Sequence, residues 1–139
     1  MKPSVLLITH TGIGAALRET AEEILGQRPM PMAELAPELN EPIASLQGRA
    51  EAALASLDHG EGVLILTDAY GATPSNMAVA LGAHYGYPVI AGLNLPMLLR
   101  VMNYPHLPVE RLVDKALSAA RDGILMADRP SDPVGQRHG

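Results

Sequence analysis

Cysteine is absent from these 139 residues, as are tryptophan and phenylalanine, and the only aromatics are four tyrosines. Without cysteine there are no disulfides, no thiolate nucleophile and no Cys-based zinc site. Four tyrosines are too few for a base-stacking platform on single-stranded nucleic acid. Positive charge is also scarce, with ten Lys and Arg against fifteen Asp and Glu and a net charge of −5. No basic cluster stands out, so a phosphate-backbone contact has no footing and no nucleic-acid partner is expected. No apolar run approaches the length of a membrane span. The start, MKPSVLLITH, reads as a first strand and not as a cleavable signal, which suggests a cytoplasmic protein.

What is present is aliphatic. Apolar residues make up 47% of the chain, so it has material for one core built from Leu, Ile, Val, Ala and Met. Pro3–Thr9 (PSVLLIT), Gly62–Thr67 (GVLILT) and Pro88–Ala91 (PVIA) are continuous apolar runs, the pattern of central parallel strands covered on both faces. Met30–Leu35 is a weaker strand, and Pro31 places it at an edge. Helical spacing fills the gaps. Leu17, Ala21, Ile24 and Leu25 mark the inner face of a helix from Ile13 to Gln27. Asn40 is expected to cap a second helix, with Pro42 in its first turn and Ile43, Leu46, Ala50, Leu54 and Leu57 facing inward. A third runs from Pro74 to about His84, and a short fourth follows Leu95. The last, from Val109, stops at Gly123. Alternating strands and helices predict an α/β fold, a doubly wound, mainly parallel four-stranded sheet with helices on both faces. Ile124–Ala127 (ILMA) follows a finished helix and is read as an added edge strand, one that a partner subunit can also take up. The domain is taken as 1–127, and DRPSDPVGQRHG, 128–139, as a flexible tail.

Ligands of such sheets bind beyond the carboxyl ends of the strands. The first strand exits into His10, Thr11 and Gly12, and the third into TDAYGATPSN, Thr67 to Asn76. At a switch point these loops bring together an imidazole, the carboxylate of Asp68 and several hydroxyls. A neutral imidazole attacks through the nitrogen that lacks a proton, and a carboxylate on the other nitrogen fixes that tautomer. Gly71, Ala72 and Thr73 can aim N–H groups and a hydroxyl at a phosphoryl oxygen, at the helix N-terminus that Pro74 opens. Phosphoryl transfer needs mainly such positioning. Thr73 also reads as a cap for that helix. Asn94 and Pro96 read as holding the turn into the fourth helix. His106, in YPHLP, is a weak neighbour of the site, and a metal held by His10, Asp68 and His106 lacks close ligand spacing.

His10 after the first strand, the loop DAYGATPSN (Asp68–Asn76) and GLNLPMLL (Gly92–Leu99) together resemble the mannose-family EIIA domain of the bacterial phosphoenolpyruvate:sugar phosphotransferase system. The resemblance runs from about residue 2 to 127 in order and spacing. It implies a phosphocarrier that takes a phosphoryl group from the histidine protein HPr and passes it to a IIB component. It implies His10 as the phosphorylated residue, Asp68 as its orienting carboxylate and Thr73 as a hydroxyl near the phosphoryl group, with Thr11, Gly12, Gly71 and Ala72 around it. It further implies a homodimer that exchanges the ILMA strand, no cofactor, no metal, and at most peripheral membrane association through the transporter. Where that family's sugar transporters carry Gly and an aromatic after the histidine, this chain has Thr11 and Gly12. No IIB domain follows within these residues. The alternative is therefore a regulatory relay read by a kinase or another regulatory protein, or a donor to a dihydroxyacetone kinase. A non-catalytic anion-binding module is the reading outside this class. THTGIGAA carries no G-x-G-x-x-G and the chain no Walker lysine, which weighs against it.

Overall fold

The computed structural model describes residues 2–128. Strands β1 (Ser4–Ile8), β2 (Met32–Leu35), β3 (Val63–Thr67) and β4 (Val89–Ala91) alternate with helices α1 (Ile13–Leu25), α2 (Ile43–Leu57), α3 (Thr73–Tyr85) and α4 (Leu95–Met102), and α5 (Val109–Asp122) closes the chain. The strands form one parallel sheet in the order β2-β1-β3-β4. β2 is the edge, as Pro31 requires.

Every residue of β1 and β3 is buried, because side chains alternate between two covered faces. Val5, Leu7, Leu64, Leu66 and Ile90 pack against α1, α4 and α5. Leu6, Ile8, Val63 and Ile65 pack against α2 and α3. The chain runs from β1 outward to β2, then returns past β1 to β3, so the winding switches direction between β1 and β3. Their register sets Ile8 opposite Thr67, and their exits lie side by side.

Several details depart from the sequence reading. Asn40 does not cap α2; it takes a left-handed conformation (φ 59°), and Pro42 stands at the cap position with no side-chain cap. The neighbouring Glu41 organises that turn instead, accepting from the Glu38 N–H and the Ser45 hydroxyl. Ile24 and Ile43, read as inward, are both 58% exposed. Asn94 does cap α4, its side chain accepting from the Met97 N–H and donating to the Ala120 carbonyl of α5. Ile124–Ala127 forms no strand in the single chain. Most of the expected tail, from residue 129 onward, lies outside the described residues.

Candidate functional site

The site lies where the winding switches. After Ile8 the chain passes Thr9 and His10, then turns at Gly12, whose φ of 85° a side chain would resist. Thr9 fixes this turn. Its hydroxyl accepts from the Gly14 N–H at 2.9 Å and donates to the His10 carbonyl at 2.8 Å. Thr9 was not legible as a functional residue, since it closes an apolar run like any strand residue.

Asp68, the first residue past β3, meets His10 across the strand gap. Its Oδ2 accepts from the His10 backbone N–H at 3.1 Å and lies 2.8 Å from the ring Nδ1. Asp68 is 9% exposed at its side chain, while the imidazole is 52% exposed. Burial pushes the Asp68 carboxyl up, but the hydrogen bonds from the His10 ring and the His10, Ala69 and Asp68 N–H groups outweigh it and hold it below the usual carboxylate range. An ionised carboxylate only accepts, so Nδ1 carries the ring proton and Nε2 keeps its lone pair, away from Asp68. Oδ1 of Asp68 and the hydroxyl of Thr67 are buried without partners among the described residues.

A cleft of about 400 Å³ opens beside the imidazole, lined by His10, Thr11, Thr73 and Pro74 on one side and by Pro37, Glu38, Asn40, Glu41 and Ile43 on the other. The second wall is the loop from β2 to α2, which sequence reasoning did not bring to the site. The signal was its position, since the exit of β2 leaves the sheet at the same end as the other two. Thr11 ties the walls together, donating to the Pro37 carbonyl at 3.3 Å. Glu41 and Arg49 brace the far wall through contacts of 2.6 and 2.9 Å, with Arg49 also donating to the Ala36 carbonyl at 2.7 Å.

The expected residues divide into two sets. His10, Thr11 and Thr73 line the cleft, and Asp68 joins them only through its contact with His10; Gly12, Gly71 and Ala72 do not line it, Gly12 and Gly71 turning with positive φ and Ala72 standing at the α3 cap. The Gly71 N–H donates to the hydroxyl of Ser75 in the first turn of α3 at 3.2 Å. Thr73 is the first helical residue of α3 and not its cap; Ala72 holds that place with no side-chain cap. The α1 start, at Gly12, has none from its own cap residue either. His106 lines a hollow with Pro3, Val63 and Pro88, at the amino ends of the strands and so across the sheet from His10. Among the described residues no group of three potential metal ligands forms.

A profile of the family described as "PTS system fructose IIA component" (EIIA-man) matches residues 4–117. The mannose-specific EIIAB component of Escherichia coli is 32% identical over 129 residues, covering 89% of this chain but only 39% of that protein's length. The fructose-specific EIIA component of Bacillus subtilis is 33% identical over 123 residues, covering 83% of this chain and 81% of that one. In three dimensions the chain is similar to a mannose/sorbose-specific IIA subunit from Enterococcus faecalis, with a TM-score of 0.84 at 23% identity and 96% and 100% of the two chains covered. It is also similar to an EIIA component from Streptococcus agalactiae, with a TM-score of 0.77 at 23% identity, covering 91% and 97%.

Proposed function

From membership in the mannose-type EIIA family of the phosphotransferase system, to which this chain belongs, we propose that the protein carries a phosphoryl group on His10 Nε2 between two partner proteins. The donor is phospho-HPr. The acceptor is a IIB component serving sugar transport, and the carrier works in the cytoplasm beside that transporter. No described helix is long and apolar enough to cross a membrane. Residues 1–127 are the carrier domain, and Ile124–Ala127 pairs with a second copy to make a homodimer.

One observation supports this reading above the others: the 2.8 Å contact between His10 Nδ1 and Asp68 Oδ2, which leaves Nε2 as the nucleophile beside the cleft. In the transfer, the Nε2 lone pair forms the new N–P bond. The donor's N–P bond breaks, and its electron pair returns to the donor imidazole. The His10 Nδ1 proton stays on Asp68's hydrogen bond, which favours the positive charge gained by the ring. No proton leaves and no co-reactant is needed, so the step runs in both directions. Two helix starts, those of α1 and α3, offer partial positive charge to the phosphoryl oxygens.

The test is phosphorylation by phosphoenolpyruvate, enzyme I and HPr, followed by intact mass. The expected result is an acid-labile gain of one phosphoryl group that His10→Ala abolishes. A folded protein that gains nothing from a cognate HPr would remove the carrier role.

A further inference from the structure

We infer, resting on the phosphocarrier reading, that Ser75 is a positioning residue for the transfer. Its buried hydroxyl holds the Gly71 N–H, which leaves Ala72 and Thr73 to meet the phosphoryl group at the start of α3. Two hydroxyls stand in the first turn of that helix, on Thr73 and Ser75. Side chains two apart on a helix point to different sides. Thr73 lines both the His10 cleft and an adjoining, largely apolar hollow of about 470 Å³ between α2 and α3. Ser75 lines neither and is fully buried, at 0% exposure. A buried hydroxyl needs a hydrogen-bond partner. The partner here is the Gly71 N–H, which donates to it.

The donors at the start of α3 divide accordingly. Ala72 stands at the cap without a capping side chain, followed by Thr73, Pro74 and Ser75 in the first helical turn. A side chain at the third helical position can reach back to an N–H that precedes the helix. Ser75 does so one residue further out, at Gly71, whose φ of 90° favours glycine. Pro74 has no N–H to give. The Gly71 N–H is taken, and Ser75 lies away from the cleft. Among the described residues that leaves the N–H groups of Ala72 and Thr73 uncommitted, with the Thr73 hydroxyl beside them at the cleft wall. Such groups at a helix start suit a phosphoryl oxygen. Packing does little to fix their direction. Tyr70 is 84% exposed, and a Cβ added to Gly71 would meet nothing within 4 Å. Hydrogen bonds hold the loop instead, at its two ends. Asp68 accepts from the Ala69 N–H at one end, and Ser75 accepts from Gly71 at the other. Asp68 thereby orients the nucleophile, and Ser75 orients the donors that receive what it carries.

The experiment uses the full chain, phosphorylated by phosphoenolpyruvate, enzyme I and HPr, with exchange of single amides against water read by NMR at neutral pH. On phosphorylation the Thr73 amide, the Ala72 amide or both should exchange more slowly, while Gly71 stays within about twofold of its starting rate. Gly71 slowing as much as Thr73 would overturn the inference, and so would the absence of slowing at both Ala72 and Thr73. Ser75→Ala should speed Gly71 exchange by about tenfold or more before any phosphorylation. In rapid-quench transfer from phospho-HPr the same variant should lower kcat about tenfold and leave KM within about twofold, a split that general loss of structure would not produce. A folded Ser75→Ala protein with kcat within about twofold of the parent would overturn the inference and leave the carrier reading standing. If that variant does not fold, the exchange comparison on the parent chain decides alone. A parent chain that takes no phosphoryl group from a cognate HPr would remove the carrier reading and this inference with it.

Discussion

In the proposed transfer, the chemistry at His10 turns on which ring nitrogen holds the proton. The Asp68 carboxylate decides it, because it accepts and cannot donate while ionised. Asp68→Asn keeps the shape and reverses the rule, since an amide can donate to Nδ1 and leave the proton on Nε2. Phosphoryl acceptance should then slow by about two orders of magnitude or more, with the fold retained. Rapid-quench labelling by phospho-HPr measures it, and a rate within threefold of the parent would strip Asp68 of the orienting role. His10 and Asp68 were legible because each is a polar residue closing a buried apolar run. Thr9 and the Glu41–Arg49 pair were not. A threonine beside an apolar run reads as strand. Nothing in the sequence marks a glutamate outside a helix as the partner of an arginine two turns inside it. Arg49 holds the Glu41 carboxyl well down, to about 2, helped by the Glu38 N–H and the Ser45 hydroxyl. A carboxyl held low in the folded state stabilises above its unfolded value and loses that contribution as pH falls through the folded one. Parent and Glu41→Gln should therefore differ most in thermal stability at neutral pH. The gap should narrow from about pH 4.5 downward and be largely gone near pH 2. A gap that stays constant across that range would mean the pair contributes nothing through charge.

Among the elements, two glycines in helices separate propensity from packing. Gly48 lies inside α2, where an added Cβ meets nothing within 4 Å. Gly48→Ala should stabilise the protein by up to about 1 kcal/mol, the ordinary helical preference for alanine. Gly82 in α3 looks the same in sequence. There a Cβ would overlap Val89 Cγ2 and lie 2.7 Å from the Tyr87 carbonyl oxygen, and that backbone has little room to yield. Gly82→Ala should destabilise by roughly 1–3 kcal/mol despite the same propensity gain. Urea unfolding of the two variants reads both signs, and equal shifts in one direction would refute the close approach of α3 to β4. The helices themselves were legible from their apolar spacing, with boundaries within about two residues. The start of α2 was not, because Asn40 and Pro42 both suit a helix N-terminus and only the backbone shows which occupies the cap. Ile24 and Ile43 fit the inward stripe by spacing, yet both are 58% exposed, while Leu25 beside Ile24 packs on the core.

For the molecule as a whole, the parallel sheet followed from unbroken apolar strands separated by helices, and the site followed from the reversal of winding between β1 and β3. What a single chain leaves unsettled is its far end. After α5, Ile124, Leu125 and Met126 are 77%, 61% and 75% exposed, three adjacent large apolar side chains with no strand to join. Burying each is worth about 1.5–3 kcal/mol, while fixing each backbone residue costs about 1–2 kcal/mol. Side-chain burial in this segment therefore only slightly exceeds its ordering cost. In the proposed dimer, backbone pairing with an exposed strand edge of the second copy would supply the rest. The proposed dimer should accordingly depend on this segment as a strand and not merely as a greasy patch. Full-length chain should sediment as a dimer, and a chain ending at Gly123 as a folded monomer. Leu125→Pro, which keeps an apolar residue but removes a backbone donor, should weaken association at least tenfold, whereas Leu125→Val should leave it nearly intact. If the shortened chain still dimerises, association rests on another face. The apolar hollow between α2 and α3 would then be the first surface to alter, and it would be buried between subunits and lost to any phosphoryl partner.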